Sequence, residues 1–160
     1  MVVTIATLNQ DVFSVIRALL IANKPSYAYN GTTFTYTIVA EYPKDTAQFP
    51  CIVVNEADSD SSILGNDDFA ASHSIDVNPT LEPEIEVVLE FYAKEAHGKK
   101  AIAAGRDSVR NTIRINIASL FSSGLIPNEK GFLEDSGNGT FQDGNQIINS
   151  AALTLRLKLK

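Results

Sequence analysis

The first apolar positions of the chain recur at helical spacing. Leu8, Val12, Ile16, Leu19 and Leu20 form one stripe, and Val15 widens it. Thr7, followed three residues later by Gln10, has the form of a capping box. Asn23 and Pro25 supply a stop. The pattern predicts a helix over residues 8–22 with one face laid on a core.

The period then changes to two. Residues 32–40 are rich in β-branched and aromatic side chains, with Phe34, Tyr36 and Ile38 on one face and Asn30-Gly31 as a turn before them. Cys51-Ile52-Val53-Val54 is a short apolar run that predicts a strand buried on both faces. In residues 84–93, Ile85, Val87, Leu89 and Phe91 alternate with Glu84, Glu86, Val88 and Glu90. Residues 98–121 return to helical spacing through Ile102, Gly105, Val109, Ile113, Ile117 and Leu120, with Gly124 placed as a C-terminal cap. Residues 127–145 are polar and glycine-rich and predict a loop, with a short strand near residues 139–142. The closing residues 146–160 predict a strand with Ala151, Leu153, Leu155, Leu157 and Leu159 on one face.

Residues 56–83 fit neither period. They open with Asp58-Ser59-Asp60-Ser61-Ser62, turn at Gly65-Asn66-Asp67-Asp68 and close with Pro79 and Pro83. Two readings remain open: a solvated loop, or a protruding hairpin in which residues 61–64 pair with residues 74–77. The whole order predicts one α+β domain over residues 1–160. Its core is a mostly antiparallel or mixed sheet of four to six strands, with two helices on one face and a long protruding loop or hairpin.

Charge adds an asymmetry to this picture. The net charge is −6. Residues 1–90 hold three basic and thirteen acidic residues, a balance of −10; residues 91–160 hold ten and six, a balance of +4. Overall acidity works against phosphate attraction, so the composition does not suit a DNA-binding domain. Arg106, Arg110 and Arg114 recur every four residues and so share one helix face, predicted to be exposed. Arg156, Lys158 and Lys160 share the polar face of the last strand. These stripes read either as solvated faces or as a surface for the acidic residues Asp58, Asp60, Asp67 and Asp68 of a neighbouring copy.

Candidate chemistry is sparse. Cys51 is the single cysteine, so no intrachain disulfide and no cysteine-based zinc site can form. His73 and His97 have no metal-ligand spacing and read as surface residues. No Gly-x-Ser-x-Gly elbow is present, though a Ser/His/Asp triad assembled by the fold stays open. Gly137-Asn138-Gly139 places Gln142 where a dinucleotide fingerprint needs its third glycine. The acidic run from Asp58 to Asp68 lacks the calcium-loop spacing. No catalytic residue, cofactor or metal is expected. The first six residues lack a basic, apolar leader, and no apolar run approaches the length of a membrane span, which predicts a protein that stays in a cytosol.

Three features together resemble the tail terminator, or tail completion, proteins of long-tailed bacteriophages. One is the amphipathic opening helix Leu8-Asn9-Gln10-Asp11-Val12-Phe13-Ser14-Val15-Ile16, followed by a strand introduced by Phe49-Pro50-Cys51-Ile52-Val53-Val54. The second is the strand Ile85-Glu86-Val87-Val88-Leu89-Glu90-Phe91-Tyr92-Ala93 leading into the helix at Lys99–Leu120. The third is the closing strand from Ala151, preceded by Glu134-Asp135-Ser136-Gly137.

The resemblance implies a virion subunit at the tail–neck junction, made in the host cytoplasm. It would form a homo-oligomeric ring, typically hexameric, that caps the tail tube, stops its polymerisation and joins the head. Its partners would be the tail tube protein and a neck or head-completion protein, with DNA passing through the lumen without specific binding. A head-closure or neck ring component is the first alternative. A small enzyme or ligand-binding module is the second, and it requires a deep pocket lined by His73 or His97 with carboxylates.

Overall fold

The computed structural model describes residues 1–4, 7–55, 57–59, 84–97, 100–128 and 131–159. The excursion at 60–83, including Asp60, Asp67, Asp68, His73 and the expected 61–64/74–77 hairpin, lies outside the described residues.

Helix α1 runs Leu8–Ala22, as the periodicity predicts, and buries Leu8, Val12, Ile16, Leu19 and Leu20. Its N-terminus differs from the expected capping box. Thr7 makes no side-chain cap; its hydroxyl donates to Asp11 Oδ2 at 2.6 Å, and the Thr4 amide donates to the same oxygen at 3.2 Å. A first-turn carboxylate thus gathers donors that precede the helix, and bonding to Thr7 lowers the Asp11 pKa. At the other end, the Asn23 amide and side chain both donate to Leu19 O.

The expected strand over 32–40 is divided, and a strand before it was not foreseen. Strands β1 (Ser26–Tyr29) and β2 (Thr32–Thr35) form a separate hairpin, closed by Asn30 at φ 48 and Gly31 at φ 77. Those angles suit the Asn-Gly turn that matches strand twist. Tyr36 interrupts the run: its amide donates to Pro25 O at 2.9 Å and its ring is fully buried. Strand β3 (Thr37–Val39) then joins the main sheet.

The main sheet also contains β4 (Cys51–Val54), β5 (Asp58–Ser59), β6 (Glu84–Lys94), β7 (Leu125–Pro127), β8 (Leu133–Asp143) and β9 (Gln146–Leu159). Its order is β3-β4-β6-β9-β7, with β5 pairing β6 and β8 pairing β9. Among the described residues only β3 and β4 pair in parallel; the other ladders are antiparallel. The fold is therefore α+β with a mixed sheet.

The second expected helix is two: α2 (Lys100–Ile115) and α3 (Ile117–Ser122). Asn116 separates them, and both its backbone and side-chain amides donate to Thr112 O. Side-chain competition for a backbone carbonyl explains a break at an asparagine within a β-branched stretch. Gly124, at φ 84, ends α3 as expected.

One core lies between sheet and helices. Ile85, Val87, Leu89, Phe91 and Ala93 of β6 and Leu153, Leu155 and Leu157 of β9 meet Val12, Ile16 and Leu20 of α1 and Val109 and Ile113 of α2. Gly105 sits in the apolar stripe of α2 because Tyr36 lies against it: a Cβ there would stand 2.5 Å from Tyr36 Oη, which donates to Ala101 O. The opposite sheet face has its own small cluster of Phe49, Cys51 and Ile148, with Val39, Tyr42 and Tyr92 against it. Strand β4 is accordingly buried on both faces.

Candidate interaction surface

The polar run after α3 is the largest departure from expectation. It forms β8, an eleven-residue strand in which every residue but Leu133 is exposed. Its partner β9 carries the apolar alternation, so β8 needs none of its own to be held. The two strands are in continuous antiparallel register except for a bulge between Ser136 and Asn138.

Gly137, at φ 54, occupies that bulge. An extra residue there shifts the alternation of side chains by one. Asp135 lies opposite Leu153 and so shares the helix-side face, whereas Glu134 lies opposite Thr154 on the other face. Each carboxylate meets arginine on its own side. Asp135 Oδ1 is 2.5 Å from Arg110 Nη2 and 3.7 Å from Arg106 Nε. Arg156 donates to Glu86 Oε1 at 2.8 Å and also pairs with Glu134. Hydrogen bonds to Asp135 raise the Arg110 pKa, and those to Glu86 and then Glu134 raise that of Arg156.

The expected basic stripes therefore divide. Arg106 and Arg110 are half-buried and tie α2 to β8; only Arg114 of that series is exposed, with no ion pair among the described residues. Arg156 bridges three strands within the chain. Lys158 stands opposite Glu84 in the β6–β9 ladder, and Asp58 stands opposite Glu86 in the β5–β6 ladder.

Beyond the bulge, β8 carries Phe141 on the face away from the helices. Its ring lies 6.1 Å from Tyr42 and 6.0 Å from Tyr92, and Tyr42 packs on Phe49 at 5.8 Å. The Tyr42 hydroxyl donates to Asp143 Oδ2 at 2.8 Å. Phe141 is nonetheless 39% exposed, and Ile147 on β9 is 44% exposed. Further large apolar side chains are exposed on the helices, at Ile115 (70%) and Phe121 (45%). Apolar side chains held at the surface mark candidate contact areas when they gather into patches.

An open groove of about 470 Å³ runs between α2 and the β8–β9 hairpin, lined by Arg106, Asn138, Thr140 and Asn149 among others. None of its described lining residues is a carboxylate, histidine or cysteine. His97 is half-buried rather than at the surface: its Nδ1 accepts from the Lys94 amide at 3.1 Å, and its ring meets Phe34 edge-on. Burial, and then Lys94, lowers its pKa. Cys51 is buried, and that burial pushes its thiol pKa up to about 12. No group of three or more potential metal-ligating side chains stands together among the described residues. No described helix is long and apolar enough to cross a membrane.

No protein-family model matches the chain, and a search of curated proteins returns no match. The surface residues that sequence patterning missed are Glu134, Asp135, Gly137 and Phe141. The only signal for them was the adjacent acid pair followed by two glycines.

Proposed function

We propose that this chain is a virion structural subunit of the tail terminator type, assembling into a ring that caps a tail tube. The observation that carries the proposal is the way its parts pack. The opening helix α1, the β6–α2 unit and the closing strand β9 share one core and leave β8 and the ends of the helices as outer surface. Exposed apolar side chains at Ile115 and Phe121 on the helices and at Phe141 on β8 are compatible with a subunit that buries further surface in an assembly.

A ring needs a head-to-tail contact whose rotation closes. Arg114, exposed in the last turn of α2, is the candidate for meeting an acidic neighbour. The paired Arg106, Arg110 and Arg156 would serve instead to hold the contact surface in shape. The net charge of −6 suits a lumen that lets DNA pass without binding it.

Adding the purified chain to polymerising tail tube protein tests this reading. Tubes of limited length with a ring at one end are expected. Uncapped tubes of unchanged length count against it, and capture by portal-side rather than tube-side proteins moves the chain to the neck.

A further inference from the structure

We infer that the outer edge of β8 pairs with β8 of a second copy, antiparallel about a twofold axis through Phe141. Among the described residues β8, a strand of eleven residues, pairs with β9 alone, and none of them meets the backbone donors and acceptors of its other edge. Such edges are normally protected by lysine, proline, unpaired charge or a bulge, and the bulge at Gly137 covers only the first half of β8. Strand β8 contains no lysine, arginine or proline. Its three carboxylates are all engaged within the chain: Glu134 by Arg156, Asp135 by Arg106 and Arg110, and Asp143 by the Tyr42 hydroxyl. The edge is long and exposed, and its one carboxylate without a cationic partner among the described residues, Asp143, sits at its end, which fits a strand of equal length that places no acid opposite it.

The bulge at Gly137 bends the first half of β8, leaving residues 138–143 as the regular part. A twofold axis normal to the sheet places residues of the same face opposite each other. With Phe141 on the axis, Phe141 faces its own copy, Thr140 faces the partner's Gln142, and Gly139 faces the partner's Asp143. No acid opposes an acid. Phe141 is 39% exposed although it borders the Tyr42–Tyr92 cluster. A cross-strand pair of phenylalanines would cover it and join the two clusters. The inference does not rest on the ring reading, because a twofold contact and a head-to-tail contact use different surfaces of one subunit.

Oxidative cross-linking of Phe141→Cys and Thr140→Cys tests the register. Cys51 is fully buried and does not compete. Cysteines at position 141 would face each other, whereas those at 140 would not. A disulfide-linked dimer is expected for Phe141→Cys, in at least about tenfold excess over Thr140→Cys. Sedimentation of the unmodified chain needs no variant: reversible twofold association, of single chains or of whole rings, is expected, weakened about tenfold or more by Phe141→Lys. Equal cross-linking at both positions, or a dimer indifferent to Phe141→Lys, overturns the inference. So does an unmodified chain that sediments only as a monomer.

Discussion

Asp135 on strand β8 lies 2.5 Å from the guanidinium of Arg110 on helix α2, and this pair fastens the outermost strand to the helix layer. The contact is partly solvated, with side-chain exposures of 40% and 32%. Its energetic value is therefore modest. Asp135→Asn should cost about 1 kcal/mol or less, and raised salt should shrink the difference. The sharper readout is local: amide exchange in residues 133–143 should accelerate while β6 remains protected.

Two glycines should respond to alanine for opposite reasons. Gly137 has a left-handed φ of 54 and open space around its missing Cβ. Gly137→Ala should cost about 1–2 kcal/mol through backbone strain alone, with asparagine costing less. Gly105→Ala should cost about 1–3 kcal/mol through collision with buried Tyr36. The companion change Tyr36→Phe should relieve part of that cost, because it removes the hydroxyl that stands closest. Chemical denaturation of the four variants separates the two mechanisms.

His97 gives the fold a pH dependence. Its pKa in the folded chain lies below the ordinary 6.5, since burial and Lys94 disfavour the charged ring and Nδ1 already accepts a hydrogen bond. The unfolded chain therefore binds the extra proton first as pH falls. This contribution to stability is intact above the ordinary histidine value and is lost as pH falls from there through the lowered value of the folded chain. Melting temperature should fall between neutral and mildly acidic pH, and His97→Gln should flatten that slope.

Cys51 should be inert to thiol reagents in the folded chain. It is buried, and its pKa is raised to about 12, so thiolate is scarce as well as covered. Labelling should appear only with denaturant and should follow the unfolding rate.

Elements whose own side chains made the period were legible in sequence. Helix α1 and strands β4, β6 and β9 stand where their apolar spacing places them, because their burial is what forms them. Of strand β8 only the stretch at 139–142 was legible, since the rest is held by the backbone of β9 and by two arginine clamps rather than by an apolar face. The division of residues 32–40 at Tyr36 was hidden for a related reason. Its cause is a contact with Gly105 and Ala101 on a distant helix. The arginine spacing on α2 correctly placed three cations on one helix face, but it carried no information that Asp135 would take two of them.

Native mass spectrometry of the purified chain, with negative-stain images of the same sample, addresses the assembly proposal most directly. A closed ring, six copies by the family resemblance or twelve where two rings pair through β8, is the predicted result. A chain that remains a monomer or a simple dimer at every concentration, and forms no ring with tail tube protein present, would contradict it.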